Sequence, residues 1–188
     1  MNRDELLAAL EAFQPSMPED RESLERLRRF VAADQDPFAR ENPAGHVTGS
    51  AIVARPDGSA FLLVHHKKLG RWLQPGGHTE ASDASVFDAA LREVREETGI
   101  ADVAAPLGRR ILDVDVHPIP AHGRDPAHSH FDVRFLVTTQ RDVDRGAAED
   151  PKRPMAWRTL EEALADGVDG SLERSLRKAR AALRAGVD

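Results

Sequence analysis

Apolar positions near the start of the chain recur at helical spacing: Leu6, Leu7, Leu10 and Phe13, then Leu24, Leu27, Phe30 and Val31. Pro15 and Pro18 separate the two runs, so residues 4–40 read as helices. From about His46 to Arg158 the pattern is mixed. Residues 47–54 and 60–64 read as strands, with turn chemistry between them in Pro56-Asp57-Gly58-Ser59. Residues 72–74 suggest a short strand running into Pro75-Gly76-Gly77. Residues 84–98 follow as a helix, with Asp83 or Ser82 as its cap and Gly99 where a left-handed residue is wanted. Later strands are expected at 109–116, 130–138 and 155–158. From Leu160 onward the chain is helical again, with Leu172, Leu176, Ala179 and Leu183 on one stripe. Strands interrupted by one central helix, with helices at both ends, predict an α/β (α+β) sandwich rather than a regular parallel fold.

Composition narrows the class. A chain of 188 residues makes one ordinary domain with decoration, 40% hydrophobic and 31% charged, the balance of a soluble globular protein. No run of eighteen apolar residues exists, so no membrane span is expected, and the N-terminus shows no secretory pattern. The absence of cysteine excludes disulfides, thiolate metal sites and cysteine nucleophiles, and it fits a cytoplasmic setting. The net charge of −6 comes with no basic run, which argues against binding a nucleic acid duplex. It leaves an anionic small molecule open, because carboxylates hold divalent cations and cations hold phosphates. A homodimer is allowed.

The informative stretch is Leu91-Arg92-Glu93-Val94-Arg95-Glu96-Glu97-Thr98-Gly99-Ile100. On a helix Glu93, Glu96 and Glu97 stand at i, i+3 and i+4, so three carboxylates share one face and repel. A hard divalent cation removes that repulsion. Phe87, Ala90, Leu91 and Val94 form a separate apolar stripe that turns the acidic side toward a cleft. A merely solvated acidic face is the competing reading, and what precedes the helix counts against it. Gln74-Pro75-Gly76-Gly77-His78-Thr79-Glu80 reads as a tight loop whose glycines let backbone approach phosphate and metal.

Together these residues resemble the Nudix box, G-x5-E-x7-R-E-U-x-E-E-x-G-U with U aliphatic. Gly77 matches the opening Gly, and Arg92, Glu93, Val94, Glu96, Glu97, Gly99 and Ile100 match the second half. Asp83 stands where the first Glu belongs, and one extra residue lies between it and Arg92. The resemblance implies a Nudix fold, a mixed β-sheet between helices. Residues 1–45 would then form an N-terminal helical extension packed on a Nudix domain of residues 46–188. It implies a Mg²⁺- or Mn²⁺-dependent hydrolase of a phosphoanhydride bond in a nucleoside diphosphate-linked or related compound. By position, Glu93, Glu96 and Glu97 would be metal ligands beside the Gly77 backbone, and Arg92 would steady the glutamates. The base would be Glu96, Glu97 or an acid on a later loop, for which Glu149 and Asp150 are candidates.

Two flanking segments carry further candidates. In His65-His66-Lys67-Lys68-Leu69-Gly70-Arg71-Trp72 the basic residues Lys67, Lys68 and Arg71 suit phosphate, while Trp72 reads as packed rather than stacked on a base. His65 and His66 are poor joint ligands, because adjacent strand residues face opposite ways. In residues 125–135 the period is two: His128, His130, Asp132 and Arg134 share one face, and Phe131, Val133 and Phe135 the other. The polar row is either solvated or aimed into a cleft. In the second case Arg134 suits a phosphate and Asp132 a ribose or a metal water, with His130 and the loop residue His78 beside them. Truncating Arg134 is then expected to weaken substrate binding more than stability. His117, His122, His128 and His130 hint at zinc, but their spacing around Pro118, Pro120 and Gly123 matches no recognised site. Two other functions compete. A Nudix-fold sensor without turnover is disfavoured because all three glutamates are present. An isoprenoid diphosphate isomerase is disfavoured by the missing cysteine.

Overall fold

The computed structural model describes residues 1–185 except Lys68, His122, Arg124 and Asp125. The proposed phosphate contact Lys68 and the zinc candidate His122 lie outside the described residues, as does Asp125.

The chain opens with α1 (Arg3–Ala12) and α2 (Pro18–Ala33). Asn2 caps α1 by accepting from the Asp4 and Glu5 amides. Pro18 begins α2, where its missing N–H costs nothing. The second helix stops at Ala33, short of the expected position 40, because Asp34 is extended (φ −78°, ψ 145°). Among the described residues seven strands follow: β1 (Gly45–Ala54), β2 (Phe61–His66), β3 (Arg71–Leu73), β4 (Gly76–His78), β5 (Ile111–Ile119), β6 (His128–Thr138) and β7 (Met155–Arg158). Helix α3 (Val86–Thr98) lies between β4 and β5, and α4 (Leu160–Ala165) and α5 (Gly170–Ala185) close the chain. They form one mixed sheet in the order β3-β2-β1-β6-β5, with β4 paired to β1 and β7 to β2. The long central pair β1–β6 is parallel and the other pairs are antiparallel.

Alternation along the central strands builds two layers. Val47, Ala51 and Val53 of β1, and Phe131, Val133, Phe135 and Val137 of β6, join a core with α1, α2 and α3. Phe30 of α2 stacks on Phe131 at 3.9 Å between ring centroids, which seats the N-terminal helices on the sheet. The opposite face is divided. Ile52, Ala54 and Leu136 pack under α4 and α5 with Leu172, Leu176 and Leu183. Toward the other end of the same strands the row turns polar: His46, Thr48 and Ser50 on β1 lie opposite His130, Asp132 and Arg134 on β6.

Three local expectations are corrected. Gly76–His78, read as loop, is a strand paired to Thr48, Gly49 and Ser50. Two glycines hide it from any side-chain pattern, since its pairing is purely backbone. The N-cap of α3 is Ser85, which accepts from the Asp88 amide, and not Asp83 or Ser82. The C-terminal helical stretch is two helices, parted at Asp166 and Gly167. Gly99 does end α3 in the left-handed region, at φ 74°.

Candidate active site

Helix α3 buries Val86, Phe87, Ala89, Ala90, Val94 and Thr98 against the sheet. Its other side carries Arg92, Glu93, Glu96 and Glu97, facing β4 and the loop after β6. Arg92 is the hub. Its Nε and one terminal nitrogen donate to the two oxygens of Asp83, each at 3.2 Å. The second terminal nitrogen donates to Glu93 at 2.9 Å and to Glu96 at 2.8 Å, and the first also reaches the His78 carbonyl at 2.7 Å. All five N–H donors of the guanidinium are thereby used. Asp83, itself buried, also accepts from the Glu80 amide at 2.8 Å. The shortened acid and the extra residue therefore still deliver a carboxylate to Arg92.

Gly77 explains the close approach of helix and strand. A Cβ there would stand 2.5 Å from Glu93 Oε1 and 2.7 Å from Oε2, so only glycine leaves room for that carboxylate. Glu97 accepts from the Gly76 amide at 3.3 Å and from Arg153, on the loop before β7. That loop also bonds the Glu149 amide to the Glu96 carbonyl at 2.8 Å. Of the two extra acids, Glu149 lies close enough to help raise the Glu97 pKa, whereas Asp150 is taken by Lys67 at 3.0 Å.

The electrostatics match a cation site. Burial first, then the neighbouring Glu97 and Glu96, push the Glu93 carboxyl up to about 7 against the opposing pull of Arg92. Burial likewise raises Glu97, opposed by Arg153. Glu93 and Glu96 share Arg92, and Glu97 has Arg153. Hard oxygen donors at a glycine-lined strand fit Mg²⁺ or Mn²⁺. Glu96 is the most open of the three, its side chain 27% exposed against 15% and 14% for Glu93 and Glu97.

Other sequence candidates fall elsewhere. Arg134 is no free phosphate clamp. It is 3% exposed, and its guanidinium bonds Asp132 at 2.7 Å, Ser171 at 2.7 Å and Ser175 at 2.9 Å. Asp115 lies 3.5 Å away and Asp113 3.9 Å. Asp132 is likewise held by Thr48, Ser50 and Gln74. Helix α5 covers this part of the row, where the sequence left a cleft or water open. The same polar layer reaches the N-terminal helices: Lys178 bonds Asp113 at 2.7 Å and Asp20 at 2.6 Å, and Arg174 lies 2.9 Å from Asp20. Arg71 stands exposed at the head of β3. Trp72 packs partly against the second core, with Arg158 above its ring.

Sequence spacing missed a cluster of imidazoles at the far end of the row. His46 and His130 are cross-strand neighbours, and His78 joins them from β4. Ring centroids lie 4.8 Å apart for His46–His78 and for His46–His130, and 5.4 Å for His78–His130. Burial, then His78 and His128, lower His46 to about 4; burial, then His46 and His117, lower His130 to about 3. Both rings are therefore neutral at pH 7.

The sequence matches the NUDIX domain from residue 44 to residue 179, and the chain belongs to the Nudix superfamily. No curated protein matches it. Solved structures of similar fold include the dihydroneopterin triphosphate pyrophosphohydrolase of E. coli. It is 15% identical with a TM-score of 0.51 over 73% of this chain and 94% of that one. The NUDIX domain of NrtR from Shewanella oneidensis, solved with ADP ribose, is 17% identical with a TM-score of 0.50 over 97% of this chain and 99% of that one. The Ap4A hydrolase of C. elegans is 18% identical with a TM-score of 0.49, over 73% and 98%. At these identities the likeness to the first two speaks of fold alone. Among the described residues no helix is long and apolar enough to cross a membrane.

Proposed function

We propose that this Nudix pyrophosphohydrolase cuts a phosphoanhydride bond in a nucleoside diphosphate-linked compound, with Mg²⁺ or Mn²⁺ held by Glu93, Glu96 and Glu97. The observation that carries the reading is the Arg92 hub. One arginine, fixed by Asp83 and the His78 carbonyl, sets Glu93 and Glu96 in a common orientation beside Gly77. Arg153 and the Gly76 amide orient Glu97 from the other side. Preorganisation of this kind lets a metal bind without first ordering its ligands. When bound, the cation would polarise a phosphoryl oxygen and lower the pKa of a coordinated water. The chain's own part is to hold three anionic oxygens in place and to offer Glu96, Glu97 or Glu149 as the acceptor of the water's proton. Relatives of the same fold support the substrate class. One is described as a triphosphate pyrophosphohydrolase and another was solved with ADP ribose, and both compounds contain phosphoanhydrides.

The test is a panel of nucleoside di- and triphosphates and nucleotide sugars, incubated with Mg²⁺ or Mn²⁺ and followed by product chromatography. Cleavage at a phosphoanhydride that stops in EDTA is expected. Saturable binding with no product across the panel would instead make the chain a binding module.

A further inference from the structure

We propose that His46, His78 and His130 form a second metal site, built for Zn²⁺ and distinct from the carboxylate box. Each ring offers one nitrogen, and the three nitrogens lie within 4.8 Å of one another. A tetrahedral zinc with Zn–N bonds of about 2.0–2.1 Å needs nitrogens roughly 3.4 Å apart. Closing that gap takes about 1.4 Å, within reach of side-chain rotation for the half-buried His78 and His130.

His46 supplies the independent sign that something is bound here. It is 1% exposed, and neither ring nitrogen has a hydrogen-bond partner among the described residues. A buried imidazole without a partner is rare, because both its nitrogens lose water and gain nothing. A metal bond would satisfy one of the two nitrogens and so relieve half of that deficit. The fold spends a strand position on this ring: His46 stands in β1, cross-strand from His130, next to the Thr48–Asp132 pair.

The donor set selects the ion. Three imidazoles and no carboxylate suit Zn²⁺ or a related transition metal, and they suit Mg²⁺ poorly. Three histidines leave a fourth coordination position for water or for an anionic oxygen of a ligand. Two more imidazoles border the trio. The His128 ring is 5.1 Å from that of His46, with its Nδ1 on the Pro126 carbonyl. The His117 ring is 5.6 Å from that of His130, with its Nδ1 on Asp115. The site is separate from the glutamates yet adjacent in sequence. His78 follows Gly77, whose missing Cβ faces Glu93, and strand alternation sends the His78 side chain to the opposite face.

The inference does not rest on the proposed hydrolysis, and its test reads metal directly. Metal-stripped protein in a large excess of Mg²⁺, added to compete for the glutamates, is titrated with Co²⁺ as a spectroscopic stand-in for zinc. One equivalent is expected, with the strong visible bands of a four-coordinate ion, and Zn²⁺ should displace it. H78Q and H130Q should each weaken Co²⁺ binding at least 10-fold, while E96Q leaves it unchanged. Because both histidines are half-buried, these variants are expected to fold even if a His46 variant does not, and circular dichroism checks this. No Co²⁺ uptake in excess Mg²⁺ would overturn the proposal. Uptake lost in E96Q but kept in H78Q and H130Q would also overturn it, because the ion would then sit in the carboxylate box.

Discussion

Replacing Arg134 by methionine is expected to damage the fold. Methionine keeps most of the apolar stem and deletes the guanidinium. The charge removed is 3% exposed and stands among Asp132 at 2.7 Å, Asp115 at 3.5 Å and Asp113 at 3.9 Å. Breaking one partner out of a buried ionic cluster typically costs about 3–5 kcal/mol, since the remaining charges stay desolvated. Two features moderate the loss here. Asp132 keeps Thr48, Ser50 and Gln74, and Asp113 keeps Arg174 and Lys178. Asp115 keeps His117, Ser171 and a 3.6 Å contact to Arg174. Hence the lower half of that range is expected, about 3 kcal/mol. In a chain of this size that lowers Tm by roughly 6–12 °C. Urea unfolding of wild type, R134M, D132N, R134K and the double variant D132N/R134M measures it. The double variant should lose less than the sum of its singles, because neutralising Asp132 removes part of the unpaired charge. An R134M unfolding free energy within about 1 kcal/mol of wild type, or strict additivity in the cycle, would refute the claim that this arginine holds the sheet to α5.

Three further outcomes follow from the same geometry. G77A, whose new Cβ would stand 2.5 Å from Glu93 Oε1, should lower metal-dependent turnover by about 10²-fold while Tm shifts by only a few degrees; normal kinetics would show that Glu93 is not placed by this approach. D83N frees Arg92 from its bidentate partner and should weaken Mg²⁺ about 10- to 100-fold with little change in nucleotide KM, and D83E should restore most of it; an effect confined to KM would remove the positioning role. Burial works against the Asp115 carboxylate, but the His117 hydrogen bond and Arg134 outweigh it and hold its pKa below the ordinary range. A depressed carboxylate contributes stability above its unfolded pKa and loses it as pH falls below about 4. The stability gap between wild type and D115N should therefore shrink as pH drops from 5 to 2, and a gap that widens would contradict the pairing.

How much of this was legible depended on distance along the chain. The carboxylate face of α3 needed only i, i+3 and i+4 spacing, and Gly99 needed only its own φ, so both could be read locally. The polar row of β6 was equally plain as a pattern, but what covers it is not written within it. Ser171 and Ser175, which meet Arg134, come 37 and 41 residues later, so a structural ion network and a phosphate clamp gave the same alternation. The imidazole trio is hidden for the same reason. His46, His78 and His130 belong to three strands, and only the parallel β1–β6 register and the β4 pairing bring them together. Asp83 lay between: the acid was visible at its place, but its bond to Arg92 required knowing how the extra residue is accommodated.

Glu96→Gln is the sharpest probe of whether the box carboxylates hold the catalytic metal. Glutamine keeps the size and helix propensity of glutamate, so α3 should persist. It removes an anionic oxygen from the most open of the three glutamates and relieves some of the repulsion around Glu93. With saturating Mg²⁺ and the substrate found in the panel, kcat should fall by about 10²-fold or more while Tm of the metal-free protein stays level or rises slightly. A variant that keeps more than about a third of the wild-type rate, far short of that 10²-fold loss, would contradict the claim and return the acidic face of α3 to a solvated surface.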